Sequence, residues 1–597
     1  MNIKILFYTQ KVEWDKKWIF LGKSYQNLLQ VEKKISGKRI KIHRDLHLVF
    51  KKELKNYVKW IEQQRKSFKD SPYWWMNDLA GKNNIYSDFL LFICQIKTLK
   101  KILSQNYKEK DLLIICDDIS LMNSIISNLK NKNLTLDYSI KILKIKNSVS
   151  DYFKILKSLI VSFVNSFYWF FLSILNHKKK TFPSGDQILI HHYTTKSILL
   201  KEKINSRYFP TLESFLEKKK KNYNNLFWFY PFWSNRLKCF NNIKVNKGLI
   251  PEEYINFFDY LSGYKNIFKT FALIKQKNKY LKTDISHLIK REKINYLINS
   301  IYNLRFWLYL PAIKKYSKNC KSLTIIDHYE NMIFEHALII AVRNLRIPSN
   351  IIGYHHTLSS KEFTAWHSVK SEWKSKFKPD KVLTCGKISY NLLLSQGLPK
   401  SKLKKGPALR FNIPVLKKNQ KKINYILFPL SQNKDSSFEL LSCVKYLSKI
   451  LSQTDYHFII KPHPNYDIKR FLRLLKMESL PKNIKISHRN LDDLLKECLF
   501  SVILSTGASY NALLNGCIVF SLSSQLHLVD NYLDIFQTKF KFLKSQSANE
   551  IGNELKKIIN NKHKLNILKS KYDKLSKFIR NKFTKKNDNI LSQFTKI

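Results

Sequence analysis

Two short stretches carry residue types that can handle a phosphate. The first is Phe458-Ile459-Ile460-Lys461-Pro462-His463-Pro464. An apolar run of this length reads as a buried strand, and the two prolines stiffen the loop that follows. Ligands of open α/β sheets bind at the carboxyl ends of strands. There His463 can donate a hydrogen bond or a proton to a phosphate, and Lys461 can add a point charge. The second is Ser501-Val502-Ile503-Leu504-Ser505-Thr506-Gly507-Ala508-Ser509, an apolar strand running into small and hydroxylic residues and then a helix. Free N–H groups at a helix start, with the hydroxyls of Ser505, Thr506 and Ser509, suit an anion, and Gly507 lets the backbone come close to it.

Two further stretches lie nearer the middle of the chain. Asp327-His328-Tyr329-Glu330-Asn331 follows a strand pattern, and Glu335 falls on the helix after it. Glu330 suits a general base; a carboxylate there equally suits a helix start. Gly353-Tyr354-His355-His356-Thr357 ends a neighbouring strand. The spacing offers no third metal ligand, so His355 and His356 are expected to make polar contacts in a cleft, with no metal. Arg410 is placed to reach a phosphate or a sugar carboxylate.

The elements that hold these residues alternate strand and helix, which predicts an α/β chain with parallel sheets. Residues 1–150 read as an N-terminal α/β part. Residues 151–182 hold a hydrophobic membrane-associating segment, and 183–412 continue the first, acceptor-side Rossmann-like domain. Residues 413–545 form the second, nucleotide-side domain, and 546–597 are Lys-rich helices. Strands are expected at 110–116, 323–327, 350–354, 381–385, 424–428, 457–460, 484–487, 499–504 and 517–520. Residues 200–310 read as mostly helical, and the Pro407–Pro414 stretch with the basic run after it as a linker.

Ser158–His177 is the most apolar segment and is bounded by lysines at both ends. It is marginal in length for a span and carries Asn165 and several serines. An anchor lying in the plane of a membrane, or re-entrant, fits it best, with a buried core helix and a spanning helix as the alternatives. The chain of 597 residues has 106 Lys and Arg against 44 Asp and Glu, a formal charge of +62. That field favours anionic partners, a membrane surface among them. Zinc-finger, RNP, basic-zipper, P-loop and G-x-G-x-x-G patterns are all missing, so no specific nucleic acid is expected. The eight cysteines lack C-x-x-C spacing and sit in apolar runs, as buried thiols of a reducing compartment do. The opening Met1–Gln10 has too short an apolar part for a signal peptide. The expected place is the cytoplasm, peripheral or monotopic on the inner face of the membrane.

Taken together, Lys461-Pro462-His463-Pro464 and Ser505-Thr506-Gly507-Ala508-Ser509 resemble the HP and serine motifs of GT-B enzymes of bacterial capsules. Those include polysialyltransferases, capsule Kdo-transfer proteins and CDP-glycerol glycerophosphotransferases. Asp327–Glu335, Gly353–Thr357 and Leu383-Thr384-Cys385-Gly386 resemble the first-domain pattern of a surface-carbohydrate biosynthesis family. The resemblance covers roughly 320–545 well and the first 300 residues loosely. It departs at His355-His356-Thr357, where those enzymes often have Gln-His-Gly. It implies two Rossmann-like domains facing a cleft and an inverting, metal-independent glycosyltransferase. No cofactor is implied beyond the nucleotide-sugar substrate. His463, Ser505 and Thr506 would hold the donor phosphate, and Glu330 would activate a glycan or lipid-linked acceptor of surface polysaccharide. A CMP-linked acidic sugar is the donor it suggests. A polyol-phosphate transferase and a non-catalytic assembly protein of the same fold are the alternatives.

Overall fold

The computed structural model describes residues 2–10, 12–105, 111–130, 133–136, 139–175, 182–230, 232–273, 278–411, 422–464, 467–529, 531–583 and 587–595. The basic run after Pro414 and Lys178–Lys180 lie outside the described residues.

Three parallel sheets organise the chain. The first takes β1 (Asn2–Phe7), β2 (Trp18–Leu21), β3 (Asp111–Cys116) and β4 (Asn133–Leu136) in the order β2-β3-β1-β4. The second takes β5 (Gly185–Thr194), β6 (Tyr223–Phe229) and β7 (Gly248–Leu249). After a small hairpin, β8 (Lys279–Tyr280) and β9 (Thr283–Asp284), it adds β10 (Cys320–Asp327), β11 (Ser349–His355), β12 (Lys381–Thr384) and β13 (Leu403–Lys405). Its order is β13-β12-β11-β10-β5-β6-β7. The third takes β14 (Ile423–Pro429), β15 (His457–Lys461), β16 (Ile484–Ile486), β17 (Cys498–Ile503), β18 (Ile518–Leu522) and β19 (Ser545–Gln546), ordered β16-β15-β14-β17-β18-β19. The two larger sheets are the pair of Rossmann-like sheets expected from the sequence.

Both large sheets reverse strand order at their centre, between β5 and β10 in one and between β14 and β17 in the other. A crevice opens at the carboxyl ends of the strands at such a switch point. His191 to Thr194 and Asp327 to Glu330 end the strands at the first; Leu430-Ser431 and Leu504-Ser505 follow them at the second. The central strands are buried on both faces, which explains their uninterrupted apolar runs.

The N-terminal part does not simply continue the acceptor-side domain. It forms its own four-stranded sheet, and one face of that sheet shares a core with the third sheet's domain. Trp18, Phe20, Leu28 and Val31 pack in one cluster with Phe428, Leu440 and Val444. The Tyr25 amide donates to Asp435 at 3.1 Å across the same junction. The residues read as mostly helical over 200–310 contain β6 and β7. β6 escapes a pattern reading because Asn224 and Asn225 interrupt its apolar run. The chain end crosses back to the first domain. Phe594 packs on Phe209 and Tyr354, and the Lys387 amide donates to the Lys582 carbonyl. All eight cysteines are free and buried.

The apolar segment lies in a single helix, Ser139–Leu175, which starts a dozen residues before the expected boundary. A helix of that length runs to about 55 Å.

Candidate active site

Asn331 builds the loop after β10. It adopts a positive φ of 63°, a conformation Asn tolerates better than most residues. Its side-chain amide donates to the carbonyls of Gly81 and Ala365. Its Oδ1 accepts from Tyr329 (3.0 Å), His336 (3.0 Å) and Lys378 (2.7 Å). This hub fixes the residue just before it, Glu330, at the mouth of the crevice.

Glu330 Oε1 lies 2.9 Å from His356 Nε2, and Arg410 Nη1 lies 3.2 Å from His356 Nδ1. The arrangement is a relay: the guanidinium donates to Nδ1, and the Nε2–H donates to the carboxylate. The side chain of Glu330 is 32% exposed while that of His356 is 1% exposed, so the carboxylate is the member that reaches the cleft. Burial pushes the Glu330 carboxyl up, but the His356 hydrogen bond and the neighbouring positive groups prevail and hold it at about 2. Burial takes the His356 imidazole down to about 4, so at neutral pH it is the uncharged link in the relay. Tyr208 stacks beside it, with ring centroids 4.5 Å from His356 and 4.6 Å from His328.

The other expected residues lie at the carboxyl ends of strands of the third sheet. Lys461 ends β15, and His463 follows in the proline-flanked loop, half-buried. Burial takes the His463 imidazole down to about 4, and the nearby charges of Arg207 and Lys461 push the same way. Arg410 is lowered to about 10 by burial and then by Arg207. Arg207, from the loop before helix Leu212–Lys218, therefore acts on His463 on one side and on Arg410 on the other. Burial raises the Tyr532 phenol, in the loop after β18, and the nearby Glu330 carboxylate pushes it the same way. The Asp534 carboxylate clasps the two domains there by accepting from Ser360 Oγ at 2.8 Å and the Lys361 amide at 2.9 Å.

The serine turn is more local than expected. Ser505 sits at φ 48°, and its carbonyl accepts from Ser431 at 2.8 Å. Thr506 Oγ1 accepts from the Ala508 amide at 3.3 Å, a local turn bond one residue before the helix's N-cap, Gly507. Ser509 is fully buried and donates to the Thr506 carbonyl at 3.1 Å, so its hydroxyl is turned into the protein. Gly507 has an ordinary φ of −67°, and a methyl group there would meet nothing within 4 Å. Open space, not strain, surrounds it. The helix that follows, Ala508–Leu514, is two turns long, so the turn offers hydroxyl and N–H groups and little dipole.

Two expected acceptor-side residues are corrected. Glu335 is fully buried and both its oxygens are occupied, accepting the amides of Glu330 (2.7 Å) and Met332 (2.8 Å). It caps its helix and holds the Glu330 loop from behind. His355, the last residue of β11, points into the core and meets Trp366 edge-on at 4.5 Å. Strand alternation sends it to the face opposite His356. Pro464 is exposed and serves the loop's shape.

Arg207, Tyr208 and Tyr532 lie near these residues without any signal in the sequence reading. His191, Asp327 and His328 bring three ligand-type atoms within 4.8 Å of one another, the one such grouping among the described residues. His191 already bonds Asp327 (2.9 Å) and Tyr309 (3.2 Å), and His328 Nδ1 lies 3.2 Å from the His191 carbonyl. The hydrogen bonds account for the grouping as a brace beneath the Glu330 loop.

No family model matches the chain, and no curated protein matches it. Among solved structures it is similar to S. aureus MnaA with UDP, at 10% identity over 65% of this chain and 91% of that one, TM-score 0.34. It is also similar to a mutant of S. aureus TarM in complex with fondaparinux, alpha-GlcNAc-glycerol and UDP (11% identity, 68% and 98% covered, TM-score 0.40). A third is UDP-GlcNAc 2-epimerase from Neisseria meningitidis bound to UDP-GlcNAc (12% identity, 68% and 97% covered, TM-score 0.35).

Proposed function

We propose that the protein is a glycosyltransferase that moves a sugar from a nucleotide-linked donor to a glycan or lipid-linked acceptor of a bacterial surface polysaccharide. The observation that carries this is the Arg410–His356–Glu330 relay, with Arg207 near enough to lower both Arg410 and, in the other domain, His463. Arg207, Arg410 and Lys461 carry positive charge that a donor phosphate can neutralise, and the uncharged His463 can donate a hydrogen bond to it. Glu330 takes a proton from the acceptor hydroxyl, which attacks the anomeric carbon from the side opposite the phosphate. The C–O bond to the phosphate breaks, and the cations with the Ser505–Thr506 turn stabilise the departing oxygen. Inversion follows from attack opposite the leaving group. These protein cations take the part that a bridging metal plays in other transferases. The CMP-linked acidic sugar suggested by the resemblance fits two arginines well, since it brings a carboxylate besides its phosphate. An anionic membrane belongs to the same reading as the surface where such acceptors are handled.

A thermal-unfolding screen against CMP, CDP, UDP, GDP and their sugar conjugates tests the donor side. A ligand at 100 times its Kd adds about 2.7 kcal/mol to the folded state. One nucleotide class is expected to raise the Tm, and His463→Ala is expected to lose most of that rise while unfolding at the same temperature without ligand. No rise with any nucleotide would sink the donor assignment. An undiminished rise in His463→Ala would take the phosphate away from His463.

A further inference from the structure

The long helix Ser139–Leu175 is built inside out over its second half. Its inward face is polar: Ser158, Ser162, Asn165, Ser166 and Ser173 lie on it at helical spacing, with Trp169 and Leu172 among them. These residues are bonded into the protein. Ser158 donates to the Ile298 carbonyl at 2.5 Å, Ser162 pairs with Tyr264 at 2.7 Å, and Asn165 accepts from Arg236 at 2.9 Å. The outward face is apolar: Phe163, Val164, Phe167, Phe171, Ile174 and Leu175 are each 43% exposed or more. Only 28% of the helix's most apolar stretch is buried, far less than a core helix requires. A helix in water puts its polar face outward; this one does the reverse.

A second helix shares the pattern. Phe257–Leu273 lies beside the first, with the Tyr260 hydroxyl donating to the Ser166 carbonyl at 2.9 Å. Gly263 lets it settle onto Leu304, where a methyl group would come within 2.8 Å. Its own outward side shows Phe257, Phe258, Leu261 and Phe268, each 47% exposed or more. At the margin the exposed rings of Tyr168 and Trp233 flank the buried Arg236 guanidinium at 4.5 and 4.3 Å, which holds two aromatic side chains of the kind suited to headgroup depth. The two helices carry seven lysines against two aspartates. An apolar patch this size, bordered by cations, marks a contact with something apolar and negatively charged at its edge.

We propose that the outward faces of these two helices, with Tyr168 and Trp233 at their margin, form one in-plane contact with an anionic bilayer. The contact is broader than the single segment Ser158–His177. The bonded inward face keeps the helix along the protein, so it lies on the bilayer and does not cross it. The same helix packs Trp169 on Phe229 at the carboxyl end of β6. That contact joins the long helix to the second sheet.

The test needs no turnover and so does not depend on the transferase reading. Because all eight cysteines are buried, an introduced surface cysteine is labelled selectively. A polarity-sensitive fluorophore is placed on the full chain at Phe167→Cys, at Leu261→Cys and, as control, at Lys562→Cys. Vesicles of equal parts phosphatidylglycerol and phosphatidylcholine are then added in high salt, which screens purely electrostatic adsorption. Emission is expected to rise at 167 and 261 and stay level at 562. In flotation with the same vesicles, the triple change Phe163→Ser, Phe167→Ser, Phe171→Ser is expected to lower partitioning about tenfold. A silent label at 261 overturns the two-helix contact, and silence at both overturns the bilayer contact altogether. So does a triple variant that partitions as the parent does. A label response that appears without vesicles as protein concentration rises identifies the face as a contact between copies and also overturns it.

Discussion

Glu330→Gln is expected to lower turnover by about 10²- to 10⁴-fold, the usual worth of a positioned general base, while the nucleotide-induced rise in Tm stays. The substitution keeps the shape and removes the charge. Glu330 rests at about 2 because the His356 bond and nearby positive charge outweigh its burial. A carboxylate that acidic is a poor base in the open cleft. Acceptor binding changes this, because displacing water from the exposed part of the side chain disfavours the anion and raises its pKa. His356→Ala supplies the second arm. Without the imidazole, burial acts on Glu330 with less opposition and its pKa rises. The acidic limb of the turnover profile must then move to higher pH. Turnover of Glu330→Gln equal to the parent's would reduce the residue to a loop anchor. An acidic limb that stays put in His356→Ala would show that another group accepts the proton.

The strands that end at the site were legible because each is a buried central strand, and burial on both faces forces an uninterrupted run of apolar residues. β15 and β17 fall within a residue of where their patterns place them. Lys461 and His463 were legible for a local reason: a proline loop after such a strand has one outlet, the carboxyl edge of the sheet. Side-chain direction was harder to read. His355 and His356 are adjacent, and only the strand register, set by pairing with β10 and β12, decides which faces the cleft. Glu335 carries the same chemistry as Glu330. Its position three residues after Met332 commits it to capping backbone amides.

Arg207, Tyr208 and Tyr532 had no local signature at all. Each lies on an irregular connection, and each matters because of a residue more than a hundred positions away. No window of sequence contains that information. The membrane face shows a related limit. A hydropathy reading finds the apolar helix, but its exposed side is apolar only because the serines and Asn165 found partners on other elements. Periodicity alone would have turned the polar stripe outward. The separate N-terminal sheet stayed hidden for the same reason, since strand patterns do not say which sheet a strand joins.

The largest stability effect is expected at Glu372, a residue outside every motif. Its carboxylate is buried between two ammonium groups, with Oε1 at 2.7 Å from both Lys82 and Lys378. Lys378 also bonds Asn331 and lies 4.6 Å over the Trp75 ring. Glu372→Ala leaves two buried cations with no counter-charge, at an expected cost of about 3–5 kcal/mol, read as a shift in the urea midpoint. Lys378→Met added to Glu372→Ala removes one of those cations and should return part of the loss. The pH dependence has a definite sign. Burial raises the Glu372 carboxyl, but the two lysines outweigh it and hold it at about 2, below its ordinary value of 4.5. Its contribution is therefore complete above about pH 4.5 and is lost as pH falls through 2. Lys378 is lowered to about 8, chiefly by burial, so between pH 8 and its ordinary 10.5 the folded state holds fewer protons and gains stability as pH rises. Because Lys378 donates to the same Asn331 oxygen that steadies the Glu330 loop, Glu372→Ala should also lower turnover in molecules that remain folded. A cost below 1 kcal/mol would mean that water or a neighbouring group replaces the carboxylate, and the loop would then owe its shape to Asn331 alone.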